Sequence, residues 1–181
     1  MTINILAESL ISKHHRQSIA KLQALCFPNV SVQEAELDFC HTPAAHVLVF
    51  DNHELIGWAG LHLASVVFEE QALQLGGYGI CTHPRYRRRG VATKMCERAF
   101  VYFNKHHCDV AFISVDRKNT ASVSLHENCG FAFLTQKFSW HNALGELDSD
   151  DSGMIAPLCS PTLYARIKNS QTTLYVGKGY W

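Results

Sequence analysis

The stretch His83-Pro84-Arg85-Tyr86-Arg87-Arg88-Arg89-Gly90-Val91-Ala92 decides the fold of this 181-residue chain, because it joins two segments of different periodicity. Residues 75–82 are apolar and rich in glycine, as suits a strand that a ligand can approach closely, and Pro84 ends that strand. From Gly90 onward Val91, Met95, Ala99, Tyr102 and Phe103 recur at intervals of three and four, with Lys94, Glu97 and Arg98 among them. That spacing predicts a helix with one buried face. The motif is therefore a strand, a turn and a helix that starts at an arginine-rich glycine.

Such a turn favours an anion. The first turn of a helix leaves backbone N–H groups without partners and carries roughly half a positive charge. Arg87, Arg88 and Arg89 add cationic donors that match phosphate oxygens, while Gly90 and Ala92 are too small to shield the amides. A diphosphate fits this description. Four arginines in five positions also describe a solvated face or a nonspecific nucleic-acid patch, but the strand-proline-glycine-helix context argues for a defined phosphate cradle.

Around this motif the chain reads as one modest domain, residues 1–181. It is long enough to bury a core without staples, and 47% hydrophobic with 18% charged residues is ordinary globular usage. Sixteen basic and sixteen acidic side chains give zero formal net charge, so bulk electrostatics support neither a nucleic-acid nor a membrane partner. Seven cysteines without C-x-x-C spacing read as free thiols. Eleven histidines include the pairs His14-His15 and His106-His107, but none stands at a ligand spacing from Cys or Asp/Glu, and no metal is expected. With no basic and apolar leader and no long apolar run, the expected location is the reducing cytoplasm.

Patterning predicts strands at 2–7, 46–51, 54–68 and from 71, with Asp51-Asn52-His53 as a hairpin turn. Helices are expected at 16–27 and 32–40. After the helix at 90–105 come a strand at 110–115, a helix capped by Asn119 or Thr120 and ended by Gly130, and a strand at 131–138. An acidic loop with Glu146, Asp148, Asp150, Asp151 and Gly153 follows, then a segment of undecided form at 157–167 and a last strand at 172–176. The order β-α-α-β-β-β-α-β-α-β-β fits an α/β fold, a mixed sheet flanked by helices.

Arg87-x-x-Gly90-x-Ala92 after His83-Pro84 matches the coenzyme A signature of the GCN5-related N-acetyltransferase (GNAT) superfamily. Asn119-Thr120-Ala121-Ser122-Val123-Ser124-Leu125-His126-Glu127-Asn128-Cys129-Gly130-Phe131 resembles a second block of that superfamily at the expected distance. The resemblance spans nearly the whole chain and implies the GNAT, or acyl-CoA N-acyltransferase, fold. It implies that acetyl-CoA is held by the backbone of Ile80, Cys81 and Thr82, by the cradle Arg87, Arg88, Arg89, Gly90, Val91, Ala92 and Thr93, and by Asn119. The strands ending at Thr82 and running over 110–115 splay apart in such folds, and the acyl arm enters there.

The implied reaction is direct acetyl transfer to a primary amine. An alkylamine with pKa near 9 or 10 is neutral only about 0.1 to 1% of the time at pH 7, roughly 3 to 4 kcal/mol uphill, so a base or a placed water is expected. The thioester oxygen needs a donor, for which a strand N–H near Cys81 serves, and the departing thiolate needs an acid. Many relatives carry tyrosine where this chain has His126, and glutamate near Tyr78. His126 is the candidate acid and Tyr78 the candidate for holding a water or substrate, with His83, Glu69 and Glu70 as lesser bases. Each of the two is also readable as packing. A ping-pong route through Cys81 would need a lowered thiol pKa.

The acceptor is read from acidic segments. Glu34, Glu36 and Asp38, the loop carboxylates Asp150 and Asp151, and Trp181 with its terminal carboxylate suit a polyammonium acceptor. The acidic segments and the tryptophan-ended tail resemble, more weakly, the aminoglycoside 2'-N-acetyltransferases. A small cationic amine, aminoglycoside-like or polyamine-like, is the expected acceptor. A protein or peptide N-acetyltransferase and a noncatalytic acetyl-CoA-binding module are the alternatives, and a homodimer is left open.

Overall fold

A computed structural model describes residues 1–27, 31–32, 42–142 and 144–178. The chain falls into two compact units, Met1–His62 with Gly79–Ala99, and Leu63–Tyr78 with Phe100–Trp181. Residues 33–40 of the helix expected at 32–40, with the candidate acceptor residues Glu34, Glu36 and Asp38, and also Trp181, lie outside the described residues.

In the first unit, β1 (Thr2–Ala7) pairs antiparallel with β2 (Ala45–Asp51), which pairs antiparallel with β3 (Glu54–Phe68). Asp51 faces Glu54 across the β2–β3 hairpin, and Asn52 and His53 take φ of 45° and 71°. Two positive-φ residues between the strands are the geometry of a type I' turn, so the turn chemistry read from the sequence is local and holds. Helix α1 (Lys13–Cys26) is capped by Ser12, whose hydroxyl accepts from His15 N at 3.2 Å. It buries Ile19 and Leu22 against Leu48, Leu55, Trp58 and Cys81.

The same unit contains the end of β4 (Gln71–Thr82) and the first turns of α2 (Val91–Lys105). A Cβ on Gly57 of β3 would stand 2.8 Å from Val91 Cγ1 and 3.0 Å from Met95 Sδ, so the missing side chain lets α2 lie directly on the strand. Beneath α1, the Trp58 indole N–H donates to His46 Nδ1 at 3.0 Å, His46 Nε2 meets Glu8, and Glu8 pairs with Arg16. Burial lowers the His46 pKa although Glu8 opposes it.

In the second unit β4 runs parallel to β5 (Val110–Ser114) over Leu75 to Gly77, each paired in turn with Val110 to Phe112. Strand β5 is antiparallel to β9 (Gly153–Pro157), and β9 to β6 (Ala132–Phe133). A smaller sheet has the order β10 (Leu174–Lys178), β7 (Phe138–His141), β8 (Leu147–Asp150). Helices α3 (Thr120–Asn128) and α4 (Pro161–Asn169) complete the unit. Its core gathers Phe68, Leu75, Phe112, Phe138, Ile155 and Leu174, with Phe112 and Phe138 edge to face at 4.9 Å. Asp109 pins the start of β5 by accepting from Gln74 N at 2.8 Å.

Three expectations change here. The strand expected over 131–138 is two strands, β6 and β7, which belong to different sheets. Between them the Gln136 side-chain amide donates to Ile167 O at 2.7 Å, an anchor far off in sequence. The acidic loop is largely strand, because Asn142 Oδ1 accepts from Leu144 N and Glu146 N and folds β8 back on β7. The undecided segment at 157–167 is the end of β9 and most of α4.

Candidate coenzyme and acetyl-transfer site

The arginine-rich turn is anchored by the Glu54 carboxylate. Strand β4 ends at Thr82, and a 3-10 turn, Pro84–Tyr86, is capped by His83, whose Nδ1 accepts from Arg85 N at 3.1 Å. Glu54 accepts from Arg85 Nη2 at 3.2 Å and Tyr86 O–H at 3.3 Å, and it lies 3.6 Å from His83 Nε2. The sequence reading missed Glu54, since nothing in its spacing ties it to a turn thirty residues on.

Beyond that anchor the donors are left open. Arg87, Arg88, Arg89 and Gly90 are exposed, with φ of 60° at Arg88 and 75° at Gly90. A Cβ at Gly90 would meet nothing within 4 Å, so glycine serves the backbone conformation and keeps the approach clear. The first intrahelical bond is Lys94 N to Gly90 O at 3.1 Å, which leaves the amides of Val91, Ala92 and Thr93 ahead of it. There is no acidic residue in the first turn of α2 to occupy them. Arg87 Nε donates to Thr82 O at 3.4 Å, and Arg89 lies 5.3 Å over the Tyr86 ring. The buried Thr82 Oγ1 has no partner. Guanidinium groups, helix amides and an orphaned strand hydroxyl together fit a phosphorylated ligand that continues along Ile80 to Thr82.

The candidate proton-transfer residues sit in the second unit. Tyr78 stacks on Phe103 at 6.3 Å, meets Phe131 edge to face at 6.0 Å, and has its ring 5.8 Å from that of His126. His126 is 2% exposed. Its Nδ1 lies 2.8 Å from Ser122 O, so Nδ1 carries the proton and Nε2 keeps its lone pair, buried and unpartnered. Burial lowers its pKa despite the Ser122 bond. The surroundings therefore favour a neutral imidazole at rest where an imidazolium was expected, because the sequence does not reveal desolvation.

Other expected residues are engaged locally. Asn119 caps α3, its Oδ1 accepting from Ser122 N at 3.2 Å. Asp150 Oδ1 accepts from Ser152 N at 2.7 Å, and although partial burial opposes it, the bonds from Ser152 lower its pKa. Arg117 Nη2 donates to Asp151 O at 2.9 Å. Glu69, a lesser base candidate, is taken up by Arg166 at 2.9 Å and by Ser170 and Thr172. Cys81 is buried, and its pKa is raised well above the usual thiol value, first by its hydrogen bond with Cys26 and then by desolvation. That is the reverse of an activated nucleophile.

The mixed α/β architecture with its strand, arginine-rich turn and helix is the acyl-CoA N-acyltransferase fold. The sequence model of the Acetyltransferase (GNAT) family matches residues 16–131, and this chain belongs to that family. It is accordingly an N-acetyltransferase with acetyl-CoA as donor. Among solved structures, the ribosomal-protein-S18-alanine N-acetyltransferase from Escherichia coli is similar at 16% identity and TM-score 0.61, over 87% of this chain and 94% of that one. Naa20 from Chaetomium thermophilum, in complex with a bisubstrate analogue, is similar at 12% identity and TM-score 0.63, over 98% and 97%. An aminoglycoside 6'-N-acetyltransferase complexed with coenzyme A is similar at 14% identity and TM-score 0.59, over 87% and 97%. These likenesses show the fold. No curated protein sequence matches the chain. Among the described residues no helix is long and apolar enough to cross a membrane.

Proposed function

We propose that the chain, as one N-acetyltransferase domain over residues 1–181, moves the acetyl group of acetyl-CoA directly to the primary amine of a small cationic acceptor. The observation that carries the donor half is the open cradle: three exposed arginines, a positive-φ glycine and unclaimed helix amides. The diphosphate is assigned to Arg87, Arg88, Arg89 and the amides of Val91, Ala92 and Thr93. The pantetheine arm is assigned to the backbone of Ile80, Cys81 and Thr82.

In this reading the amine nitrogen attacks the thioester carbonyl, the C–S bond breaks as the C–N bond forms, and the amine proton must leave while the thiolate gains one. A strand N–H near Cys81 faces the developing oxyanion. Direct transfer is preferred to a Cys81 acyl-enzyme because Cys81 is buried with its thiol held protonated. The proton step is assigned to His126 with Tyr78 beside it. A neutral imidazole with a bare Nε2 is able to take a proton first and return it to the thiolate afterwards.

The acceptor half rests on the exposed carboxylates of the β8–β9 region, Asp148 and Asp151, with Asp150 between them. Their charge attracts an amine-rich cation. One experiment tests the whole reading: thiol release from acetyl-CoA over a panel of aminoglycosides, polyamines, amino acids and peptides, run with the wild type and His126→Gln. The expected result is turnover with polycationic amines, a kcat lowered by about tenfold or more in the variant, and a shifted acid limb in the pH profile. Coenzyme binding without thiol release for any amine refutes the acceptor assignment. An unchanged kcat and pH profile in His126→Gln refutes the role of His126.

A further inference from the structure

Cys26 and Cys81, far apart in sequence, meet at the end of the strand that leads into the cradle. Cys26 is the last residue of α1, is partly exposed, and directs its Sγ to Thr82 O at 3.3 Å. Its thiol is hydrogen-bonded to that of Cys81, which is buried on β4 in the same apolar cluster. The Arg87 guanidinium also bonds the Cys26 sulfur, and through Nε it reaches Thr82 O at 3.4 Å. Two thiols, a strand carbonyl and one cradle arginine thus form a single cluster.

The two thiols are differentiated. The hydrogen bond from Cys81 is the largest cause that lowers the Cys26 pKa to about 7, burial opposes it, and Arg87 adds to the lowering. The same contact, with desolvation, pushes Cys81 well above the usual thiol range. At neutral pH about half of the partly exposed Cys26 sulfur is thus thiolate, while the buried Cys81 keeps its proton. A reachable thiolate beside a protonated neighbour is the arrangement in which one oxidation becomes a disulfide.

We propose that Cys26 and Cys81 are an oxidation site, converted to a disulfide by hydroperoxides, that weakens the coenzyme grip. The Cys26 thiolate attacks the terminal oxygen of the hydroperoxide, the O–O bond breaks as S–O forms, and the departing oxide takes a proton to leave as alcohol or water. Cys81 sulfur then attacks Cys26 sulfur, S–S forms and S–O breaks, and the Cys81 proton leaves with the hydroxide as water. Two thiols lose two electrons and the peroxide gains them. An S–S bond of about 2 Å is shorter than any hydrogen-bonded contact, so closure draws the end of β4 toward the end of α1. It also removes the thiolate that Arg87 bonds. Both changes fall on residues assigned to acetyl-CoA, and the effect on binding rests on that assignment.

The test uses the full chain, reduced and then treated with stoichiometric hydrogen peroxide, alkylated and peptide-mapped, with coenzyme A binding titrated before and after. The expected map links Cys26 to Cys81 with loss of two hydrogens, while the exposed Cys159 remains alkylatable. A reductant restores both thiols. Cys81→Ser stops the reaction at a sulfenic acid on Cys26 that dimedone traps, and Cys159→Ser changes nothing. Coenzyme A affinity falls by about tenfold on oxidation and recovers on reduction. Preferential oxidation of Cys159, or a map without the Cys26–Cys81 link, overturns the site. A link formed with unchanged affinity overturns its effect on the grip. Reduced protein that binds no coenzyme A, whatever the map, overturns the coenzyme assignment alone.

Discussion

The turn at Arg87 to Gly90 and the enclosure around His126 handle charge in opposite ways. In the turn, three arginine side chains are exposed and the helix amides beside them are uncommitted. In the enclosure, Tyr78, Phe131 and the α3 backbone surround one imidazole and suppress its charge. An anion-binding element gains from exposure, since its partner brings the compensating charge. A buried titratable group without a counter-charge is driven to its neutral form. One region is thus prepared to bind an ion and the other to hold a proton-accepting lone pair out of solvent.

The largest expected effect removes the exposed charges. Replacing Arg87, Arg88 and Arg89 together by alanine should weaken coenzyme A binding on the order of 10²-fold or more, measured by titration calorimetry. It should change folding stability by less than about 1 kcal/mol, because exposed side chains away from the core contribute little. A large fall in melting temperature with retained affinity would break the contrast, for the arginines would then be structural.

A packing change near the enclosure should do the reverse. Phe103, fully buried, lies against Gly76 of β4 and stacks on Tyr78, and a Cβ at Gly76 would stand 2.4 Å from Phe103 Cγ. Gly76→Ala should therefore destabilise the fold by about 1–3 kcal/mol. In a chain of this length that lowers the melting temperature by roughly 2–4 °C per kcal/mol. A thermal melt decides it, and an unchanged midpoint would mean the aromatic stack yields freely.

What the sequence made legible divides along the same line. The hairpin turn at Asn52-His53, the end of β4 at Pro84, the Asn119 cap and the positive-φ Gly90 and Gly130 depend on residues within a few positions of one another. Local chemistry suffices for these. Features that depend on distant partners were not readable. The break between β6 and β7 is tied to Ile167 through Gln136, β8 exists because Asn142 turns it back on β7, and Glu54 organises a turn thirty residues away. Cys26 and Cys81 carry no spacing signal at all. His126 shows both sides: its place in a motif is visible, while its burial follows from Tyr78 and Phe131, which only folding brings to it.

The smallest expected effect isolates that burial. His126→Leu removes the bond to Ser122 and also an unpartnered buried nitrogen, so at pH 7.5 stability should change by less than about 1 kcal/mol. The pH dependence should change more clearly. The folded pKa of His126 lies below its unfolded value of about 6.5, so below that pH the unfolded chain binds more protons than the folded one. Its favourable contribution is complete above about 6.5 and is lost as pH falls toward the folded pKa, with a slope that cannot exceed about 1.4 kcal/mol per pH unit. His46 acts with the same sign, whereas Glu8, Glu69 and Asp150, with lowered carboxyl pKa values, act only at lower pH. Urea unfolding between pH 7.5 and 5.5 should thus show a shallower loss of stability in His126→Leu than in the wild type, with the remainder due to His46. Equal slopes would mean that the imidazole is hydrated in the folded chain, and the enclosure would then differ from the cradle in shape but not in its treatment of charge.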